Sequence, residues 1–570
     1  MPVIDVDLDE LRGLVGTDAD DATLIADLFE LGLEHEGRTD AGTEQFEFGP
    51  DRLDRLSVEG VARSLRQHYD IAPGLSVPHA ASPEYALVAE DVPADRPHIS
   101  GLIVRGLALT DAVLTSVIQL QEKLHATMGR RRAKGAIGIH DLTMLKPITD
   151  RIPDRKALIY RGVDPAETTF VPLGADRAMT PAEVCAELPT GRRYGDLVDV
   201  DAAVPGIVDD LGLFSFPPVI NGSRTELATD THAVLVELTG TDQWTIDRMA
   251  TILGYALVAR GGDLEAVEVV TPEATLRRPT LDVETKRVAH ADIERTLGVE
   301  LSPETVRALC GRAGLDATVD DGTYAVSVPP YRVDVLHPVD VIDDIGRAYG
   351  FTALEPRVPD VATIGGRHPR SRLRRALRER LVGMGVEDML TFHLSSPAVT
   401  QTQMRLDAAD AEVLGAQQPV RITSPYSEEY PIVRQWLLPS LVQVLANNTH
   451  RRYPQVLGEV GHVLWADDGA PDGVAEADHI AVVVAAPTAS FEDAKAVCAS
   501  LTAGFDVALA TPAVTHPSFI EGRAAALEVE GTTVGVLGEL HPQIITDAGI
   551  EVPVAAFECA VSAFETDDSG

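Results

Sequence analysis

Lysine is nearly missing from this sequence: of its 48 basic residues only six are lysine, and 88 acidic residues bring the formal net charge to −40. That balance excludes the broad basic surface by which many nucleic-acid-binding proteins hold a phosphate backbone. It suits a cytosol near molar salt, where the Debye length falls to about 3 Å and self-repulsion is screened. An acidic disordered chain is excluded by the 45% of residues that are hydrophobic. Long apolar runs are missing as well: no stretch of eighteen or more residues is apolar, and Met1 to Asp9 is acidic where a signal peptide is basic and then apolar. The expectation is a soluble, cytoplasmic protein with neither membrane nor DNA as partner. Cysteine is scarce. Cys185, Cys310, Cys498 and Cys559 stand more than sixty residues apart, too far for a C-x-x-C metal site or a dense disulfide framework, so all four are expected as buried free thiols. No G-x-x-x-x-G-K-[ST] phosphate loop occurs.

What is present is chain enough for about three to five domains. Residues 1–78 read as a small α+β unit, with a strand at Val3 to Val6 and amphipathic helices near Asp20 to Leu33 and Ser57 to His68. Pro73, Pro78 and Pro83 mark a linker. Residues 84–269 read as a larger unit, with helices from about Thr110 to Gly129 and Asp242 to Ala259 around a strand-rich core. Residues 273–351 carry helices at Ala291 to Leu297 and Ser302 to Gly314, a hairpin turn at Asp320-Asp321-Gly322, the alternating strand Tyr324 to Val328, and a helix from Val339 to Tyr349. The last unit, 360–564, opens on a helix from Arg367 to Leu381 with seven arginines in fifteen residues. Leu373, Ala376, Leu377 and Leu381 recur in it at helical spacing, which favours a packed, subunit-facing helix over an RNA contact.

Three constellations carry chemistry. On a helix from Val339, Asp340, Asp343 and Asp344 share one face and Asp334 arrives from the preceding strand; four such carboxylates suit a hard cation such as magnesium. The same acids near a helix N-terminus also simply favour its dipole. Ser215, Asn221, Glu237 and Thr239 offer hydrogen-bond donors and acceptors near strand ends, a pattern that a plain strand and turn would also give. Arg130, Arg131, Arg132 and Lys134 place four cations within five residues, able to hold an RNA backbone or to finish a helix before glycine.

The segment from Val328 to Phe351 resembles a signature module of phenylalanyl-tRNA synthetase beta subunits. The resemblance implies magnesium on Asp334, Asp340, Asp343 and Asp344, at a site shared with an alpha subunit; positions 343 and 344 often carry glutamate in that family. Phe214 to Asn221, Val236 to Thr241, and the arginine run leading into Ala136-Ile137-Gly138-Ile139-His140-Asp141-Leu142 resemble the family's archaeal and eukaryotic editing module. That module hydrolyses tyrosine wrongly attached to the phenylalanine tRNA, and Ser215, Asn221, Glu237 and Thr239 fall at its pocket positions, with Glu237 where the archaeal pattern has aspartate. Proofreading has a physical reason, since an apolar pocket rejects an analogue that adds one hydroxyl by only about 10². Ser215 lacks a G-x-S-x-G turn and an obvious histidine partner, so attack by a positioned water is expected in place of a serine nucleophile.

Ser424 to Tyr430, Arg434, Leu437 to Leu441, Leu457 to Gly461, His516 to Ala524 and Leu537 to Pro542 resemble a degenerate class II synthetase domain. Active domains of that class place an ATP-holding arginine two residues before the motif glutamate, where Leu457 precedes Glu459 here, and Pro553 to Val561 has no arginine. ATP is therefore expected to be used at the alpha subunit. The resemblance covers residues 1 to 564 and implies an (αβ)₂ heterotetramer that charges phenylalanine tRNA, this chain contributing tRNA binding, editing and magnesium. The fold class it implies is α+β and multidomain: a strand-rich editing module, a small helical, winged-type metal-binding module, and an antiparallel-sheet class II module. The rivals are a free-standing deacylase, which would not need residues 360–564, and an assembly or RNA-binding subunit whose editing pocket has decayed.

Overall fold

The computed structural model describes every residue except 1, 41, 50, 359, 362–363, 408–412 and 566–570. The chain divides between Val358 and Pro359 into two compact units. The first opens with a three-stranded sheet in which Glu44–Phe48 lies between Val3–Val6 and Leu33–Arg38. The helix expected to run to Leu33 stops at Glu30, because Gly32 turns the chain at φ +84 and Leu33 begins a strand. A further helix, Leu8–Val15, starts on the side chain of Asp7 and ends on the left-handed Gly16. Val58–His68 begins at Ser57, whose hydroxyl caps Gly60 N–H.

Next comes an eleven-stranded sheet, and it positions the site. Its path runs Ile220–Asn221, Gly212–Phe216, Val204–Asp209, Arg155–Val163, Ala81–Ala89, Asp263–Val270, His98–Arg105, Ala233–Gly240, Gly135–Asp141. Ile148–Ile152 and Thr275–Arg278 attach beside that path. The sheet curls until its two ends meet: the Asn221 side chain, in the first strand, donates to the Ile139 carbonyl in the last, 3.4 Å away. Twelve of the seventeen residues of Gln243–Ala259 are buried, more than a one-sided surface helix would bury, so it serves as a central helix. Together with Asp111–Ala126 it packs one core with the inward face of Ala233–Gly240.

A second three-stranded sheet, Glu284–Ala289, Thr323–Val328 and Asp316–Asp320, is covered by the helices Pro303–Arg312 and Pro338–Tyr349. Tyr324, Val326 and Val328 alternate inward as the sequence pattern requires.

In the second unit a seven-stranded sheet runs Glu387–Asp388, Gln455–Ala466, Val474–Ala485, Val554–Ala560, Thr532–Leu540, Phe519–Val529, Leu509–Ala510; all its pairs are antiparallel except the first. Leu438–Asn447 packs on one face. Pro369–Gly383 and Phe491–Ala503 pack on the other. The arginine-rich helix buries Leu377 and Leu381, half-buries Leu373 and leaves Ala376 exposed. Among the described residues no helix is long and apolar enough to cross a membrane. All four cysteines are free thiols; three are buried, while Cys185 is only half-buried, which corrects the expectation of four buried thiols.

Candidate functional site

Where the ends of the large sheet meet lies a cavity of about 400 Å³. Leu114, Val117 and Ile118 line it from the helix Asp111–Ala126, Ile137 and Ile139 from one sheet end, and Pro217 to Gly222 from the other. Asn221 and Glu237 line it too. Polar side chains line it as well, Glu122, Arg132, Thr225 and Glu226 among them. Ser215 Oγ donates to Glu237 Oε1 at 2.8 Å, joining the second strand of the sheet path to the second from last. A longer contact of 3.4 Å links Ser215 Oγ to Asn221 Oδ1. Glu237 is 1% exposed, and its Oε2 is buried without a hydrogen-bond partner. Leaving such an atom unpaired costs about 1–3 kcal/mol, more for a charged group, a penalty that a hydrogen-bonding ligand would remove.

Ser215, Asn221 and Glu237 are thus brought together. Thr239 lies two residues along the same strand but outside the cavity wall; its Oγ1 and carbonyl oxygen accept from the buried Arg96, at 2.8 and 2.7 Å. Arg96 also donates to the Arg132 carbonyl, so Thr239 braces the neighbouring turn.

In that turn the expected cationic patch separates into two kinds of residue. Arg130, Arg131 and Arg132 hold φ angles of 46°, 53° and 67°. A left-handed conformation costs a non-glycine residue about 1–2 kcal/mol, and three in a row persist only where surrounding contacts fix them. Arg132 supplies those contacts: it donates to the carbonyls of Pro218 and Val219, pairs with Glu122 at 2.9 Å and lies 4.2 Å from the centre of the Tyr194 ring. Lys134 pairs with Asp242 at 3.0 Å. The side chains of Arg130 and Arg131 are exposed and make no hydrogen bond or ion pair with any described residue. The helix expected to reach Gly129 ends at Ala126, so these side chains belong to the turn and not to a helix terminus.

Glu122, on the cavity wall, is fixed from inside. The buried His125 ring accepts Ile137 N–H at Nε2, which leaves Nδ1–H to donate to Glu122. That hydrogen bond, and then the charge of Arg132, outweigh burial and lower the Glu122 carboxyl to about 2. His125, His140, Gly138 and Arg96 all escaped the sequence reading. His140 and Gly138 stand inside a quoted motif, but their partners lie far along the chain.

The four aspartates are arranged otherwise than expected. Asp334 and Asp344 converge on the buried Arg332 guanidinium, each 2.6 Å from its Nη2. Asp340 turns back to accept Leu336 and His337 N–H at 2.8 and 2.6 Å, and Asp343 pairs with Arg347 one turn along its own helix. No group of three or more such ligands gathers among the described residues. The helix keeps Asp340, Asp343 and Asp344 at i, i+3 and i+4, but a buried arginine two residues before Asp334 takes up both Asp334 and Asp344, and the amides of Leu336 and His337, just ahead of the helix, hold Asp340. As arranged, these residues do not fit a shared magnesium ion.

In the second unit Arg434 and Glu459 are both fully buried and paired at 2.8 Å. Arg434 also donates to Thr391 Oγ1 and to the His462 carbonyl, and Thr391 donates to the second Glu459 oxygen. Leu457 is part of the core beside them.

Comparison with known proteins accords with this architecture. A family model for the CLM domain of the phenylalanyl tRNA synthetase beta chain matches residues 354–561, and one for the tRNA synthetase B5 domain matches 286–351. The phenylalanine–tRNA ligase beta subunit of Halobacterium salinarum is 55% identical over 567 residues, covering 99% of this chain and 100% of that one. That of Haloarcula marismortui is 53% identical over 584 residues, with the same coverage. An N-terminal fragment of the phenylalanyl-tRNA synthetase beta-subunit from Pyrococcus horikoshii, solved as a crystal structure, superposes with a TM-score of 0.57 at 29% identity, covering 61% of this chain and 99% of that one. With similarity of this extent along its whole length, the chain belongs to the phenylalanine–tRNA ligase beta-subunit family.

Proposed function

We propose that the cavity at the sheet seam is a hydrolytic editing site that removes tyrosine from the phenylalanine tRNA. The observation that carries this reading is the unpartnered Glu237 Oε2 at a pocket whose wall includes Leu114, Val117, Ile118, Ile137 and Ile139. A tyrosine side chain fits that combination, its ring against the aliphatic wall and its hydroxyl donating to the carboxylate. Phenylalanine would leave the buried oxygen unpaired, and a site built to bond a hydroxyl rejects an analogue lacking it far better than an apolar pocket rejects an added one. Asn221 and Ser215 shape the polar end, and Thr239 acts through Arg96 on the turn that bears the arginines. A water attacks the ester carbonyl carbon, the bond to the ribose oxygen breaks, and that oxygen takes the proton. Arg130 and Arg131, whose side chains have no partner among the described residues, are cations suited to the tRNA phosphates beside the cavity.

The chain acts with an alpha subunit, in an (αβ)₂ heterotetramer of the cytoplasm. ATP, with its magnesium, is used at the alpha subunit; Arg434 locked onto Glu459 supports a second unit without ATP chemistry. The four aspartates serve as partners of Arg332, Arg347 and backbone amides, and no step passes through a metal on them. The test is hydrolysis of phenylalanine tRNA carrying tyrosine, in molar potassium chloride, by the reconstituted complex. Asn221→Ala should slow hydrolysis by about ten- to a hundredfold while phenylalanine charging stays intact. Charging without hydrolysis by the unsubstituted complex would leave only assembly and tRNA binding.

A further inference from the structure

His140 is 0% exposed, lies one strand from Glu237, and plays no part in the reading above. Its Nδ1 is 2.8 Å from the hydroxyl oxygen of Thr225, a cavity residue. Its Nε2 is buried with no hydrogen-bond partner and stands 3.7 Å from Glu237 Oε1. A neutral imidazole carries one proton. On Nδ1, that proton would leave the Nε2 lone pair facing a carboxylate, two buried acceptors opposed. On Nε2 it points at Glu237, and the Thr225 hydroxyl turns its single proton from the Gly222 carbonyl, 3.3 Å away, to the closer Nδ1 at 2.8 Å, so the second arrangement is favoured. Glu237 Oε1 then has two donors directed at it, Ser215 Oγ at 2.8 Å and His140 Nε2 across a stretched gap, while Oε2 is left for a ligand.

Gly138 keeps this arrangement possible. It pairs with Glu237 across the strands, and a Cβ there would lie 2.2 Å from Glu237 Oε1 and 2.9 Å from His140 Nε2. Any side chain at 138 would push carboxylate and imidazole apart.

We propose that His140 is a specificity-determining positioning residue of the editing site: through its Nε2–H it holds the Glu237 carboxylate so that the free oxygen meets the hydroxyl of a phenolic substrate. This rests on the editing reading and names the device behind its selectivity. Two substitutions divide the ring's functions. His140→Asn keeps a polar atom near the Nδ1 position, bonded to Thr225, and removes the one facing Glu237. His140→Gln extends an amide toward the Nε2 position.

The measurement is kcat/KM for deacylation of the phenylalanine tRNA carrying tyrosine and of the same tRNA carrying phenylalanine, by the complex with its alpha partner. His140→Asn should lower the tyrosine-to-phenylalanine ratio by about ten- to a hundredfold, chiefly through tyrosine, and His140→Gln should restore most of it. Gly138→Ala should reproduce the loss from the opposite side. Melting temperature and phenylalanine charging are read in parallel. A ratio unchanged in His140→Asn overturns the proposal, as does equal loss in Asn and Gln variants that tracks a lowered melting temperature. Absence of hydrolysis by the unsubstituted complex overturns the editing reading itself; hydrolysis with a ratio indifferent to position 140 overturns only this one.

Discussion

Arg434 and Glu459 each carry a charge at 0% side-chain exposure, and each satisfies the other together with Thr391. Breaking such a pair from one side leaves a buried charge alone, which costs about 3–5 kcal/mol, whereas replacing both partners with apolar groups is often neutral. Arg434→Met should therefore lower the urea midpoint of the second unit sharply, and Arg434→Met with Glu459→Met should regain most of the loss. Equal midpoints for the single variant and the unsubstituted chain would show that the pair contributes nothing. At this scale the sequence was informative where a short motif held the residues: Asn221 and Glu237 line one cavity, and Ser215 contacts both. His140 sits in such a run as well, yet its role depends on Glu237 and Thr225, about 85 to 97 residues away in sequence, and no local pattern encodes that distance.

Helices with a capping side chain were legible in the sequence; weakly patterned strands were not. Ser57, Asp242 and Ser302 each start a helix within a residue of the expected place, because a short polar side chain at that point satisfies an otherwise orphaned amide. Leu33–Arg38 reads Leu-Glu-His-Glu-Gly-Arg, with one buried apolar residue, and only pairing with Glu44–Phe48 makes it a strand. The Asp340 helix was foreseen, but not that Arg332 would collect Asp334 and Asp344. Around it Asp54 pairs with Arg52 and Arg63. Burial pushes the Asp54 and Asp334 carboxyls up, but Arg52 and Arg332 respectively pull them further down, so both lie below the ordinary value. A carboxyl lowered by folding contributes its full stabilisation above the unfolded value of about 4 and loses it as pH falls through the folded value. The first unit should thus lose stability below about pH 4, as circular dichroism during acid titration would show. With arginine and not a metal at the centre, an excess of chelator should leave the melting temperature of the isolated chain unchanged. A magnesium-dependent rise of several degrees would overturn that account of the aspartates.

For the molecule as a whole, a net charge of −40 sets the conditions under which the fold holds. At 0.1 M salt the Debye length is about 10 Å and neighbouring carboxylates repel; at 1 M it is about 3 Å. Melting temperature should rise by roughly 10 °C or more across that range, although exposed pairs such as Arg295–Asp292 weaken with salt. A melting temperature that falls with added salt would contradict the reading of the composition.

The meeting of the sheet's two ends also sets a clock. One wall of the cavity comes from Gly135–Asp141 and its partner strand Ala233–Gly240, and the other from residues 217 to 222. At about 5–20 residues per second, a ribosome takes roughly 5 to 20 s to make the stretch from Gly135 to Gly240 that holds them all. Throughout that interval the nascent chain holds half a pocket, so competence to proofread arrives in one step, when the last strands close the ring.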